Sequence, residues 1–142
     1  MRGLLDVNVL IALLDRDHAL HTRSQEWFGA NVKAGWASCP LTQNGCVRIM
    51  SHSSYPNALA AASIIERLRN AVAESHHQFW ADDVSLLDTR IADPTRIHGP
   101  RQVTDLYLLA LAVRHGGRFV TFDRSVPIGA IRNAEKKHLV IL

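Results

Sequence analysis

The sequence predicts an α/β protein in which a parallel sheet is covered by helices on both faces. Short apolar segments typical of buried strands alternate along the chain with longer segments of helical periodicity, which is the pattern of parallel strands joined by helices. The 142 residues are 47% hydrophobic and 20% charged, as in a folded globular protein. A chain of this length buries most of its apolar surface in one core, so we expect a single domain over residues 1–142.

The N-terminal half contains two predicted strands and four predicted helices. Asn8 is suited to cap the first helix and Thr42 the third, because both side chains can accept a hydrogen bond from a backbone amide. Pro56 favours the start of the fourth helix, since proline is tolerated in a first turn. The strands are expected at residues 3–6 and 36–38, and the helices at 9–14, at 19–32, from Thr42 onwards and at 57–75.

The C-terminal half contains the clearest helical pattern of the chain. Residues 103–115 are strongly apolar and are followed by Gly116 and Gly117, and glycine commonly terminates a helix. Residues 93–100 hold two prolines and one glycine, which predicts a loop. The strands are expected at residues 79–81, 118–122 and 138–142, and a shorter helix at 84–91.

Composition excludes several classes of protein. The longest apolar runs, residues 9–14 and 106–113, are shorter than the roughly 18 residues that a membrane span needs. Asp6 and Asn8 interrupt the apolar N-terminal stretch and no small-residue cleavage site follows, so we expect a cytoplasmic protein without a membrane partner. Two cysteines are too few for a disulfide scaffold. The net charge of +3 permits a phosphate-bearing partner.

Three aspartates occupy comparable places at the ends of predicted elements. Asp6 and Asp123 each follow a strand, and Asp105 lies in the first turn of the helix that precedes the second of these strands. Ligands of parallel α/β sheets bind at the carboxyl ends of the strands. Each aspartate alone is more simply explained as a helix cap or a turn residue. Together they favour a site for a hard divalent cation, magnesium or manganese, whose bound water can attack a phosphodiester.

Four segments of the chain, in this order, resemble a known family. They are LLDVNVL at residues 4–10, CPLTQ at 39–43, QVTDLYLLA at 102–110 and GGRFVTFD at 116–123. The family is the PIN domain and, more narrowly, the VapC-type toxins of bacterial toxin–antitoxin operons, above all their mycobacterial branch. The resemblance implies a three-layer α/β/α sandwich and a magnesium-dependent endoribonuclease, with manganese as a possible substitute. It implies in-line attack by water that leaves a 5′-phosphate and a 3′-hydroxyl.

The resemblance also assigns roles to individual residues. Asp6, Asp105 and Asp123 match the acidic positions that bind metal and carry catalysis. Asn8 matches a polar position that orients the first aspartate, and Thr121 matches a hydroxyl position beside the last one.

One position departs from the common family pattern. Many PIN domains carry a glutamate in the segment after the second strand, where this chain has Gln43 or its neighbour Asn44. The branch that it resembles commonly has glutamine there. The amide can still ligate a metal or hold water, but one negative charge is missing, so we expect weaker magnesium binding. Whether the site holds one metal or two stays open.

The expected partners are an RNA substrate, a VapB-type antitoxin and a second copy of the chain. Arg101 and Arg124 flank the acidic positions and could hold RNA phosphates, because phosphate contacts dominate nucleic-acid affinity. They are equally explained as solvated surface charges or as partners of carboxylates. Among the aromatic residues, both a core position and an exposed stacking platform stay open for Trp80.

Two other functions remain as alternatives. The first is a degenerate PIN domain that binds RNA or a protein partner without cutting, which the missing glutamate favours and the three aspartates oppose. The second is a phosphatase of the haloacid dehalogenase kind, because Asp6 begins a short motif like the one that ends the first strand of those enzymes. Asn8 lacks the carboxylate that such a motif supplies.

Overall fold

A single parallel sheet of five strands forms the centre of the computed structural model, which describes residues 1–74 and 76–142. All neighbouring strands run parallel, in the order β3-β2-β1-β4-β5. The strands are β1 (Gly3–Leu5), β2 (Trp36–Ser38), β3 (His77–Phe79), β4 (Arg118–Thr121) and β5 (Leu139–Ile141). The helices are α1 (Val7–Leu14), α2 (His21–Asn31), α3 (Pro40–Met50), α4 (Ala61–Ala73) and α5 (Val103–Arg114).

Two hydrophobic cores lie on opposite faces of the sheet. Leu4 and Phe119 belong to the core that α5 covers, whereas Leu5 and Val120 belong to the core under α1 and α4. Successive side chains of a strand point to opposite faces, so a fully apolar strand requires cover on both. The predicted three-layer α/β/α architecture with a central parallel sheet is confirmed.

Two helix starts differ from the prediction. The first helix begins at Val7 and is capped by Asp6, not by Asn8, because β1 ends at Leu5 and Asp6 has the extended backbone of a cap residue. The third helix is capped by Cys39 and has Pro40 at its first position, where proline is favoured. Thr42 is therefore not the cap, and its hydroxyl accepts a hydrogen bond from the Cys39 amide at 3.0 Å.

The segment around Pro56 is also corrected by the structure. Residues 51–60 form turns and extended backbone, and α4 begins only at Ala61. Asn57 has a left-handed φ of 58°, which a helix does not accommodate. The predicted helix extended to Ser75, which lies outside the described residues, whereas α4 ends at Ala73.

The predicted helix at residues 84–91 is wrong. These residues are described, and they form turns. The Ser85 hydroxyl accepts from the Leu87 amide, and the Asp88 carboxylate accepts from the Arg90 amide. Such local side-chain bonds compete with the backbone bonds of a helix.

The third strand lies two residues earlier than predicted. Trp36 of β2 pairs with His77 and Ser38 pairs with Phe79, so β3 ends before Trp80. Trp80 is 2% exposed and belongs to the core beneath α5. It is therefore a core residue, and the stacking platform that the sequence left open at this position is excluded. No helix in the described ranges is long and apolar enough to span a membrane.

Candidate active site

The candidate site lies at the carboxyl edge of the sheet, where β1 and β4 end side by side. Leu5 of β1 pairs with Val120 of β4, so Asp6 and Thr121 follow at the same level of the sheet. Asp123 lies just beyond the end of β4. Asp105 is in the first turn of α5, which packs against this part of the sheet. The chain order thus brings three aspartates from different elements to one edge.

Asp6 is held rigidly at the end of β1. Its side chain is buried and accepts hydrogen bonds from the Val7 amide at 2.7 Å and from the Thr121 hydroxyl at 2.6 Å. Burial raises the pKa of Asp6 above its ordinary value, although these two hydrogen bonds act in the opposite direction. Both oxygens of this carboxylate are fixed by the fold before any ligand arrives.

Thr121 connects the polar groups of the site. Its fully buried hydroxyl donates to Asp6 and accepts from the Asp123 amide at 3.1 Å and from the Asn8 amide nitrogen at 3.4 Å. One hydroxyl therefore sets the positions of the first and last aspartates relative to each other. The Asn8 amide oxygen is buried and has no hydrogen-bond partner among the described residues. A buried acceptor without a partner is costly, and it marks a place where an external donor or cation would be stabilised.

Asp105 and Asp123 differ in their ionisation. The pKa of Asp105 is raised to about 7. The largest cause is burial, followed by the charge of Asp6, a hydrogen bond with Asp123 and the charge of Asp123. The Ser125 amide and hydroxyl hold Asp123 at 2.7 and 2.6 Å, and these bonds lower its pKa. Near neutral pH a protonated Asp105 can thus donate to an ionised Asp123. The three carboxylates affect one another directly, as close neighbours of like charge do.

These three carboxylates are not arranged around one common point. In residues 1–74 and 76–142 no group of three or more His, Cys, Asp or Glu side chains is arranged to hold a metal ion. The charges of Asp6 and Asp123 both raise the pKa of Asp105, and the lack of convergence agrees with this mutual repulsion. A cation shared by the three carboxylates would therefore require their side chains to rearrange.

Gln43 lies near the end of β2, the strand that pairs with β1. Its amide nitrogen donates to the Ser38 hydroxyl at 2.9 Å, and Ser38 bonds in turn to the His77 ring at 2.9 Å. In the described part of the chain no hydrogen bond joins Gln43 to the three aspartates. The side chain is thus anchored at the end of β2, next to β1. Asn44, the alternative match to the missing glutamate, is exposed.

The two predicted RNA contacts are both available to a ligand. Arg101 precedes α5 and Arg124 follows Asp123, and both side chains are exposed. Neither forms an ion pair within the described residues. The interpretation of these arginines as partners of nearby carboxylates is therefore not supported.

Sequence reasoning missed two residues that fix the site. Ser125 holds Asp123 through a turn in which a carboxylate accepts from the amide two residues on, and the spacing of Asp123 and Ser125 is a signal that could have found it. Ser38 anchors Gln43 from a neighbouring strand. No local pattern identifies Ser38, since it depends on how β2 and α3 pack.

Comparisons with known proteins show which family this chain is similar to. The PIN domain family model matches residues 3–128. Ribonuclease VapC44 of Mycobacterium tuberculosis is 52% identical over 142 residues, which cover 100% of both chains. Ribonuclease VapC38 of the same species is 48% identical over 125 residues, or 87% of this chain and 86% of that protein.

A solved structure supports the fold. VapBC2 from Rickettsia felis, in a crystal structure bound to a DNA fragment from its promoter, superposes with a TM-score of 0.57 at 12% identity and covers 87% of this chain and 89% of that chain. At this identity the likeness concerns the fold alone. From the family match and the full-length relatives, the chain belongs to the PIN-domain family and, within it, to the VapC ribonucleases.

Proposed function

We propose that this protein is the toxin of a VapBC-type toxin–antitoxin system and acts as a magnesium-dependent endoribonuclease. Its membership of the VapC ribonucleases gives the substrate class. The observation that carries the proposal is that Asp6, Asp105 and Asp123 come from three different elements to the carboxyl edge of the sheet, where the charges of Asp6 and Asp123 raise the pKa of Asp105. Acids that repel one another in a buried place are stabilised by a shared divalent cation.

The residues available at the site fit a hard cation. Asp6, Asp105 and Asp123 would hold magnesium or manganese, since all three offer oxygen ligands. The buried and unpartnered Asn8 amide oxygen supports the same assignment, because it can accept from a metal-bound water. When bound, such an ion supplies a water of lowered pKa and neutralises charge on the phosphodiester.

The other residues of the site hold these groups in position. Thr121 fixes Asp6 through its hydroxyl, and Ser125 fixes Asp123 through its amide and hydroxyl. Asp105 holds a proton at its carboxyl group near neutral pH when no cation is bound. Metal binding would displace that proton, which couples metal affinity to pH.

RNA would approach across the exposed rim of the site. Arg101 and Arg124 have free guanidinium groups on either side of the acids, and guanidinium matches phosphate oxygens in a two-pronged contact. Gln43 brings no negative charge to this rim, so the phosphate backbone meets one repulsive group fewer than with glutamate. Cleavage would follow in-line attack by water on a phosphate held between these groups.

An apolar groove supports the proposed antitoxin partner. It has a volume of about 460 Å³ between α1, α2 and α4, and Leu13, Phe28 and Leu68 are among its lining residues. Such a groove accepts the apolar face of an amphipathic helix. We also propose that the protein is cytoplasmic, that its 142 residues form one domain and that two copies associate.

The phosphatase alternative has no support in this geometry. The motif of those enzymes supplies a second carboxylate two residues after the first, where this chain has Asn8, and the chain belongs to the VapC ribonucleases. The three neighbouring acids likewise oppose a degenerate, purely binding domain.

Incubation of the purified protein with total RNA tests the proposal. Cleavage is expected with magnesium or manganese and should stop on chelation. Asp6→Asn and Asp105→Asn should abolish it, whereas Asp17→Asn, at an exposed position after α1, should leave it unchanged. Fragments should carry a 5′-phosphate. Cleavage that survives chelation, or that survives both site variants, would refute the assignment.

A further inference from the structure

Phe79 is the one exposed aromatic residue of the chain. The nine Trp, Tyr and Phe residues all lie within the described residues, and Phe79 has an exposed fraction of 55% while the others are buried or half-buried. It belongs to neither hydrophobic core of the described structure. Its ring therefore contributes little to the stability of the fold and is available to a ligand.

The position of Phe79 relates it to the candidate active site. Leu4 of β1 pairs with Ala37 of β2, which pairs with Gln78 of β3. One residue further along these strands, Phe79 therefore lies at the level of Leu5, directly before Asp6. Two strand spacings separate them, or about 10 Å. Phe79 thus stands at the same carboxyl edge as the acids, on the edge strand of the sheet.

Several residues that neighbour Phe79 in the sheet carry polar side chains. Ser38, which pairs with Phe79, bonds to the side chains of His77 and Gln43, and the adjacent Gln78 is exposed. A protein partner generally requires a contiguous apolar patch with a polar rim. A nucleobase instead has an apolar face and hydrogen-bonding edges, so a single ring among amide, hydroxyl and imidazole groups suits it better.

We propose that Phe79 is a stacking platform for an unpaired base of the RNA next to the cleaved phosphate. This inference rests on the proposed ribonuclease function. Base–aromatic stacking tolerates any sequence, because every base has a π-face, and it adds affinity beyond that of phosphate contacts. Arg101 and Arg124 would hold the backbone while Phe79 orders one flanking nucleotide. The ring binds and orients substrate and takes no part in proton transfer.

Binding of fluorescein-labelled single-stranded RNA tests this inference, measured by anisotropy with a chelator present to prevent cleavage. Phe79→Ala should raise the dissociation constant by about 5- to 100-fold, the range expected for the loss of one stacked base. Phe79→Trp should retain or improve affinity, and Phe79→Leu should behave like Phe79→Ala. The loss should be greater with oligo(A) than with oligo(U), because purines stack more strongly.

Two controls isolate the stacking contribution. Leu87→Ala removes an apolar side chain that is even more exposed, at 93%, and should leave RNA affinity unchanged. The dissociation constant of inorganic polyphosphate, which has no bases, should be the same for the wild type and Phe79→Ala when it is derived from competition curves corrected for the RNA affinity of each protein. Thermal unfolding should also be unchanged, because Phe79 is outside both cores.

The possible outcomes separate this inference from the proposed function. Metal-dependent cleavage by the wild type, together with equal RNA affinity of Phe79→Ala, would overturn the stacking assignment alone. A Phe79→Ala variant with altered self-association in sedimentation velocity and unchanged RNA affinity would assign the ring to a protein interface and also overturn it. Absence of cleavage by the wild type would instead refute the proposed function.

Discussion

At the scale of single residues, the fold raises the pKa of Asp6 and Asp105 and lowers that of Asp123. Asp105 is brought next to Asp6 and Asp123 in a half-buried position, so its charge is destabilised while no cation is present. Thr121 and Ser125 meanwhile hold the other two acids in fixed orientations. The three aspartates could be predicted from their places at strand ends and in the first turn of a helix, whereas Ser38 could not, because its contact with Gln43 depends on how α3 packs after β2.

Asp105→Asn should stabilise the protein in the absence of metal while removing its activity. The Asp105 pKa is raised from its ordinary value of 3.8 to about 7, so the folded state binds a proton more tightly than the unfolded state. Asp105 therefore contributes fully to stability at a pH below its ordinary pKa of 3.8. This contribution is lost as the pH rises through the folded-state pKa of about 7. At neutral pH the variant should gain about 1–2 kcal/mol in free energy of unfolding, less than the full pKa shift corresponds to, because solvent screens the half-exposed carboxyl group.

Urea unfolding in the presence of a chelator measures this effect across the same pH range. The advantage of the variant should vanish in acid, where Asp105 of the wild type is also neutral. Equal stability of the two proteins at every pH would show that the fold does not oppose ionisation of Asp105. Asp17→Asn provides an exposed control.

Thr121→Val should damage both stability and cleavage. The substitution keeps the shape but removes the buried hydroxyl, so an Asp6 oxygen and the donors of Asn8 and Asp123 lose their partner. A buried polar group without a partner costs about 1–3 kcal/mol. Thermal unfolding and cleavage assays measure the two effects. Thr121→Ser keeps the hydroxyl and should retain most activity, and equal behaviour of the two variants would contradict the role of this bond.

At the scale of elements, the sequence predicted strongly patterned segments well and locally ambiguous ones poorly. β1, β2, β4 and α5 lie within about one residue of their predicted bounds, because apolar runs and terminating glycines mark them. The helix at 84–91 failed because serine and aspartate side chains satisfy the backbone there. The register of β3 could not be predicted, since pairing with β2 decides it.

The start of α4 offers a test at this scale. Ala60 occupies its cap position with extended backbone, and in the described chain no side chain accepts a hydrogen bond there. Ala60→Ser should therefore raise the free energy of unfolding by about 0.5–2 kcal/mol, because a hydroxyl at this position accepts from an amide of the first turn. Urea denaturation measures the change. Ala58→Ser, in the preceding turn, should have little effect, and the same gain from both variants would show that capping is not its cause.

At the scale of the whole molecule, the fold gathers acids at one edge and leaves basic groups around them. The chain carries a net charge of +3 although its candidate site is acidic. The positive charge that can attract RNA phosphates therefore lies outside the site. Fold class and family could be predicted because the residues at strand ends, the length of the chain and the order of the four motifs all indicate the same family. The surfaces that contact partners could not, since exposure follows from packing, as the contrast between buried Trp80 and exposed Phe79 illustrates.

RNA affinity should depend on salt through the arginines of the rim. Each phosphate contact releases counterions, so Arg101→Ala and Arg124→Ala should each lower the slope of log affinity against log salt by about 1. Anisotropy titrations at several salt concentrations measure this slope. Arg16→Ala, beyond the end of α1 and also exposed, should leave it unchanged. Unaltered slopes for both rim variants would place the phosphate contacts elsewhere.

We infer that Asp6, Asp105 and Asp123 share one divalent cation. Binding of this cation should displace the proton of Asp105, so the number of protons released measures whether Asp105 takes part. Isothermal titration calorimetry with magnesium or manganese, repeated in buffers of different ionisation enthalpy, counts the protons displaced. With the Asp105 pKa at about 7, the wild type should release about half a proton per ion at neutral pH, and less as the pH rises. Asp105→Asn should bind weakly and release none. Metal binding without proton release, and of equal strength in Asp105→Asn, would contradict the account.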